Sequence, residues 1–482
     1  MIQLIADKYV DSIDTKKLVE NGIEGIISQL DPHTVYIPKE DLTRVNEELE
    51  GEFYGIGVEF YLNNDSIHIA SILANGPADH TELQAGDQII QIDDSIVSGK
   101  QLTDEEVIKR IRGNLNTEVK LVVLHPNKVK ATCVLHRGIV PYKSVVASVM
   151  LTPTIGYIKI RLFSETTFTE FKTALEQLIK LHAQKLIIDV RDNPGGYMEA
   201  VSNIADELIA GNKNLITTKG NHETDIRKTA NLGLFEKGDL AILVNEGSAS
   251  ASEILSGVIQ DLDRGIVIGR RTFGKGLVQE QFELPDGSAL RITTARYYLP
   301  SGRCIQKSYA KGKEEYSQDI IRRFHNGQLS NNDSTHAKPE IFYTSLKRKV
   351  YGGEGITPDI FVPLDTTNDA SLEDFYAAHA VEEYTHRYYF YHKNEFTTYT
   401  NLDVFSRQFS ISKTMMDDFY AYTKSLKINT NGLQQSQLVQ KLQTLLRAEF
   451  AKLLFQSNGH YLELSKDDTM IQLALKKLNA LQ

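Results

Sequence analysis

A serine, a lysine and a pair of glycines, each placed just past a run of apolar residues, carry the chemistry this 482-residue chain could perform. The serine is Ser250, within Asn245-Glu246-Gly247-Ser248-Ala249-Ser250-Ala251-Ser252. An apolar-patterned helix with Ile254, Leu255, Val258 and Ile259 comes next. Ser250 thus lies near free N–H groups and the positive end of a helix dipole, which favour a developing oxyanion. Lys275 sits in Gly269-Arg270-Arg271-Thr272-Phe273-Gly274-Lys275-Gly276, one helix plus one strand further along. A serine hydroxyl needs a base, and desolvation can depress a lysine pKa by up to ~3–5 units, enough to make it one. Gln279, four residues on, could fix the direction of the amine. The third loop is Arg191-Asp192-Asn193-Pro194-Gly195-Gly196, where glycine lets backbone amides approach a ligand closely. No histidine lies in these three loops, which favours a Ser-Lys pair over Ser-His-Asp.

Each feature alone has a plainer meaning. A Ser/Ala turn before a helix is ordinarily an N-cap, a Gly-Lys-Gly loop is ordinarily solvated, and Pro-Gly-Gly is ordinarily a turn. Their combination at matching strand ends is what points to acyl transfer. Gly269-x-x-x-x-Gly274-Lys275 also imitates a phosphate-binding loop. Gly276 stands where the metal-binding Ser/Thr would be, however, and Leu277 to Leu284 alternates like a strand instead of opening a helix.

The elements that must position these loops are legible as apolar runs. Lys185-Leu186-Ile187-Ile188-Asp189-Val190, Leu240 to Val244 and Gly265 to Ile268 read as buried strands, with helical stretches around Glu199–Ala210 and Ala251–Leu262. Alternating strand and helix over 150–310 implies a parallel sheet, whose sites form outside the carboxyl ends of the strands. Residues 1–50 read as helical, and 52–138 as a β-rich unit with a short helix at Asp104–Ile111. Residues 308–350 read as a polar surface insertion, and 367–482 as helical.

Composition sets the broad class. A chain this long implies two to four domains, and 41% hydrophobic with 24% charged residues is ordinary for a globular protein. The formal charge of −10 argues against a nucleic-acid partner, which needs a basic footprint. Cys133 and Cys304 are the only cysteines, too few for a disulfide framework or a cysteine-only zinc cage. No apolar run approaches the length of a membrane span, and the first eight residues read as an amphipathic helix rather than a signal peptide.

The two blocks from Asn245 to Ile254 and from Gly269 through Lys275 to Gln279 resemble the signatures of the carboxyl-terminal processing (tail-specific) peptidase family. Leu30-Asp31-Pro32-His33-Thr34-Val35-Tyr36 is similar to the family's N-terminal segment, and Gly355-Ile356-Thr357-Pro358-Asp359 to its closing motif. The resemblance covers about residues 20–365. Asp192, where Asn is commoner, and Asp93-Asp94 in the β-rich unit depart from it.

The resemblance implies a multidomain α/β protein. A helical segment (1–50) precedes a PDZ-like peptide-binding domain (51–138), a crotonase-like peptidase core (139–366) and a helical C-terminal extension (367–482). It puts the nucleophile at Ser250, the base at Lys275, its orienting glutamine at Gln279 and the oxyanion hole at the backbone amides of Gly196 and Ala251. Gly55-Ile56-Gly57-Val58 would present amides to a peptide carboxylate, with β-augmentation along the next strand. No metal or cofactor is expected. The expected partners are polypeptides with free C-termini and an activating or adaptor protein; the extension is read either as an oligomerisation or docking element or as a helical bundle covering the core. A periplasmic or envelope-facing location is implied by the resemblance alone. Two competing readings are a peptide-capturing scaffold without catalysis and an acyl-CoA enzyme of the same sheet-and-helix plan.

Overall fold

Two uninterrupted apolar runs become the centre of a six-stranded sheet in this computed structural model, which describes residues 1–63, 65–331, 340–365, 369–428 and 436–480. The strand order is Val145–Met150, Ile155–Ile160, Lys185–Asp189, Asp239–Val244, Ile266–Gly269 and Ile360–Phe361. The first pair is antiparallel and every later pair parallel. Leu186 to Ile188 and Leu240 to Val244 are buried on both faces, as a sheet sandwiched between layers requires. Alternate residues go to opposite sides. Leu186, Ile188 and Ile242 pack with the helices Thr167–Lys180, Met198–Leu208 and Ala251–Asp261. Ile187, Ala241 and Leu243 pack with Met470, Ile471, Ala474 and Leu478 of the last helix, Thr469–Ala480.

A second, antiparallel sheet leans on this core and brings in distant chain. Its long strand Ala289–Tyr298 pairs with Leu277–Glu283, with Asn214–Gly220 and with a short N-terminal strand, Val35–Ile37. Residues 1–50 are therefore not wholly helical. Helices Thr15–Ile27 and Lys39–Glu50 flank a strand that β-branched Val35 and Ile37 form against Arg291 and Ala289.

The β-rich unit is a five-strand path, Val58–Asn63, Ser66–Ile72, Gln88–Ile92, Glu118–Leu124 and Lys130–His136, packed with the helix Asp104–Ile111. Thr103 and Glu106 close a capping box at that helix, and Val107 and Ile111 face the unit's own core. Val58–Asn63 is the path's first strand and has a sheet partner on one side only.

The polar segment 308–350 is not a surface insertion throughout. Helices Lys313–Ser317 and Asp319–His325 bury Tyr316 and Arg323 against the core, where the Tyr316 hydroxyl and the terminal nitrogens of Arg323 find partners. Arg323 donates to the carbonyl oxygens of Thr272, at 3.1 Å, and Arg271. The Asn332-Asp333-Ser334 stretch of that segment lies outside the described residues. The C-terminal extension divides in two. Its larger part has an aromatic core around Phe375, Phe405, Phe419 and Phe450, and its last helix completes the second layer of the main sheet. Among the described residues no helix is long and apolar enough to cross a membrane.

Candidate active site

Ser250 stands where the strand Asp239–Val244 turns into the helix Ala251–Asp261, at φ +51° and ψ −112°. Such a backbone costs on the order of 1–3 kcal/mol and persists only where its surroundings over-determine it. The loop from the neighbouring strand does this. Asn193 O accepts from Ala249 N at 3.0 Å and from Ser252 Oγ at 2.9 Å, and Val190 O accepts from Ser248 Oγ at 2.7 Å. From the other side, Phe273 N donates to Ser248 O at 3.0 Å. The three loops expected at one sheet edge do meet there.

A buried carboxylate fastens them. Glu253 accepts through one oxygen from Thr272 Oγ1 at 2.5 Å and Gly274 N at 2.7 Å. Its other oxygen accepts from Ser250 N at 2.9 Å and Lys275 N at 2.8 Å. Burial pushes its pKa up to about 7, against the pull of those four donors. The backbones of Ser250 and Lys275 are thus tied to the same oxygen atom. Tyr297, fully buried, adds a hydroxyl 2.8 Å from Lys275 O and 3.3 Å from Ser250 O.

The Lys275 ammonium donates to Gln279 Oε1 at 2.7 Å. Burial lowers its pKa to about 8, and Arg291 pushes in the same direction. Gln279 is aimed at the amine by a bulge between Val278 and Gln279, where the register on the facing strand skips a residue. Gln279 Nε2 donates in turn to the carbonyl oxygen of His33. That carbonyl belongs to a tight N-terminal turn in which Asp31 Oδ1 accepts from His33 N at 2.9 Å and Asp31 Oδ2 from Thr34 Oγ1 at 2.6 Å. The His33 ring points elsewhere, with Nε2 2.8 Å from Tyr316 OH, and burial together with Lys275 pushes its pKa down to about 4. The amine is engaged by Gln279 and not by Ser250 Oγ, so the Ser250–Lys275 bond itself is not made in this arrangement. Catalytic hydrogen bonds are often long without substrate and close only with it.

Two amides remain unused beside the serine. Phe163 bridges to Gly196 by donating to Gly195 O at 2.8 Å and accepting from Tyr197 N at 2.7 Å. Gly195 N donates to Asn193 Oδ1 at 2.8 Å. Among the described residues no acceptor takes Gly196 N–H or Ala251 N–H, the latter the first amide of its helix. Neither glycine could carry a side chain without displacing its neighbours. At Gly195, φ +107°, a Cβ would sit 2.6 Å from Ser250 Cβ, and at Gly196, φ +139°, 2.0 Å from Phe163 O.

The peptide-binding quartet is placed elsewhere and is split. Gly55 pairs with Gly138 in a two-stranded ribbon. Ile56, Gly57 and Val58 line a cavity of about 1190 Å³ together with Ile108 and Ile111 of the short helix. None of Ser250, Lys275, Gln279, Gly196 or Ala251 lines it. Four residues that shape the site have no role assigned from the sequence. Glu253 could have been found from the Ser-x-x-Glu spacing of a capping box. Tyr297, Tyr316 and the carbonyl of His33 arrive by tertiary contact, and no local pattern announces them.

Comparison with known proteins places these features in a family context. Residues 154–314 match the model of peptidase family S41, 43–124 that of the PDZ domain, and 1–41 that of the activating protease CtpB N-terminal domain. Residues 372–456 match a family of unknown function. The chain is 32% identical over 383 residues to the carboxy-terminal-processing protease of Bartonella bacilliformis, covering 78% of this chain and 86% of that one. It is 33% identical over 309 residues to carboxy-terminal processing protease CtpB of Bacillus subtilis, covering 63% of this chain and 64% of the relative. A solved photosystem II D1 C-terminal processing protease aligns over 75% of this chain and 91% of its own, at 24% identity and a TM-score of 0.39.

Proposed function

Starting from a chain that belongs to peptidase family S41, the carboxy-terminal processing proteases, we propose that Ser250 and Lys275 form its catalytic dyad and that Gln279 holds the lysine in place. One observation carries this reading. The Lys275 amine is buried against a neutral acceptor, Gln279 Oε1, with its pKa near 8, so a useful fraction is uncharged at neutral pH.

Ser250 Oγ attacks the scissile carbonyl carbon while Lys275 Nζ takes its proton. The carbonyl oxygen gains the negative charge and is held by Gly196 N–H and Ala251 N–H, aided by the dipole of the helix Ala251–Asp261. Collapse breaks the C–N bond, and the leaving amine receives the proton from Lys275. Water then attacks the acyl-enzyme ester, giving its proton to Lys275, and Ser250 departs as the hydroxyl with that proton returned. The substrates are unstructured polypeptides with free C-termini, captured at the Ile56-Gly57-Val58 groove. A gated enzyme that awaits an activating partner fits a Ser250–Lys275 bond not yet made.

The test is cleavage of an unfolded protein with an apolar C-terminus by wild type, Ser250→Ala and Lys275→Ala. Cutting by wild type alone is expected. Full turnover by Lys275→Ala, with its fold intact, would remove the dyad.

A further inference from the structure

The groove beside Gly57 is not enclosed by the PDZ-like unit alone. Besides that unit it is lined by the core, including Lys143, Arg161 and Glu170, and by the C-terminal extension, mostly within residues 372–456 that match a family of unknown function. The helix Ala380–Phe396 lies against the unit's open side. His379 stacks on Tyr61 with ring centroids 4.6 Å apart, and Asn63 Nδ2 donates to Glu383 Oε1 at 2.6 Å. Tyr391 OH donates to Pro126 O at 3.0 Å, and Lys393 Nζ to Gln84 Oε1 at 3.0 Å. The extension is anchored to the core as well, through Asn458 Oδ1, which accepts from Ser148 N at 2.8 Å.

Three features make this wall more than packing. Among the described residues Val58–Asn63 has a sheet partner on one side only, so its other edge offers backbone groups to an added strand. His386, 4% exposed, lines the cavity, and its Nδ1 has no hydrogen-bond partner among the described residues; an orphaned buried polar atom calls for a ligand group. Burial pushes its pKa down to about 4, so near neutral pH the ring is an uncharged hydrogen-bonding group. The charged residues on the lining are Arg112, Lys143, Arg161, Lys393 and Lys452 against Glu59, Glu170 and Glu382. Arg112 is paired with Glu47, and Lys452 with Glu59 at 3.6 Å, which leaves Lys143, Arg161 and Lys393 against Glu170 and Glu382, a small cationic excess. An extended chain ending in a carboxylate matches all three.

We propose that the extension is a working wall of the chain-end binding site, with His386 and Lys393 contacting the captured polypeptide C-terminus opposite the Val58–Asn63 edge. This rests on the reading of the Gly57 groove as the place where tails bind. The composite site would make tail preference depend on residues outside the PDZ-like unit, and the unit expressed by itself would lack half of its groove.

The probe is a fluorescein-labelled decapeptide with three apolar C-terminal residues and a free carboxylate, together with its C-terminally amidated twin. Binding is read by fluorescence anisotropy on the full chain carrying Ser250→Ala, so that no turnover intervenes. Three further substitutions are compared in that background: Lys393→Glu, His386→Phe and, in the groove helix, Ile108→Asp. The expected result is a preference for the free carboxylate, loss of binding with Ile108→Asp, and about tenfold weaker binding with each extension variant. Lys393→Glu decides alone if His386→Phe lowers the melting temperature. If Ile108→Asp abolishes binding while Lys393→Glu binds like its parent, the extension is only structural and the proposal falls, with tail capture intact. If the free and amidated peptides bind alike and Ile108→Asp changes nothing, the groove is not a tail site and both ideas fall together.

Discussion

With Lys275 as the proposed base, its titration sets the pH at which this site can work. Its amine must be uncharged to take a proton from Ser250, and burial places its pKa near 8. Below that value each pH unit leaves about tenfold less of the neutral amine, and above it the fraction saturates. The rate constant kcat/KM should therefore rise with pH and level off with an inflection near 8. Gln279→Glu tests the cause. A carboxylate in place of Gln279 Oε1 would favour the ammonium form and move the inflection upward by about one unit or more, since opposite charges at hydrogen-bond distance shift pKa by ~1–3 units. Activity at pH 7.5 should drop about tenfold while the plateau at high pH is partly kept. The two pH–rate profiles decide it, and an unchanged inflection would mean that Lys275 is not the titrating base. Glu253 titrates in the same range, and its ionised form is the one that can accept four hydrogen bonds. A further loss of activity with an inflection near 7, at the same pH in Gln279→Glu and wild type, would be its mark.

At the scale of elements, the site depends on how closely two loops approach. Gly195 is pressed against the serine turn so that a methyl group there would lie 2.6 Å from Ser250 Cβ and 2.9 Å from Ala249 O. The φ of +107° is also unfavourable for any side chain. Gly195→Ala should leave the protein folded, because the loop is at the sheet edge, yet push Ser250 out of line. A displacement of about 1 Å at such a site costs on the order of a hundredfold in rate. Circular dichroism and cleavage of an unfolded protein would check both halves, and retention of wild-type activity would show that the turn has room to relax. This approach was partly legible from sequence. The runs Leu186-Ile187-Ile188 and Leu240 to Val244 announce strands buried on both faces, and the loop after a parallel strand lies at the sheet's carboxyl edge. The strained backbone of Ser250 was not legible, nor was which helix covers the second face of the sheet. The first depends on contacts across three loops, and the second on a helix that returns some 200 residues later to cover Ile187 and Leu243. The short strand Val35–Ile37 escaped for a related reason. Its partner is Ala289–Arg291, and three residues are too few for a period to show.

Across the whole molecule, the proposed capture groove and the proposed catalytic residues line different spaces, and the extension that forms one wall of the groove is bonded to both the PDZ-like unit and the core. A chain end held beside Gly57 must therefore reach Ser250 by its own length, at most about 3.3–3.6 Å per extended residue. The consequence is a threshold that ordinary proteases lack. Peptides sharing one apolar C-terminus should bind equally well once they fill the groove, at about ten residues, since contacts further upstream do not touch it. Cleavage should stay negligible for those short peptides and appear only as the chain is extended, so that kcat rises with length while Kd stays flat. Measuring both constants for a series from about ten to about forty residues, a span that at full extension exceeds 100 Å, separates the two steps. A decapeptide cut as fast as the longest member would mean that the PDZ-like unit carries its cargo to Ser250. In that case the contacts of Tyr61 and Asn63 with the extension would have to break in every catalytic cycle.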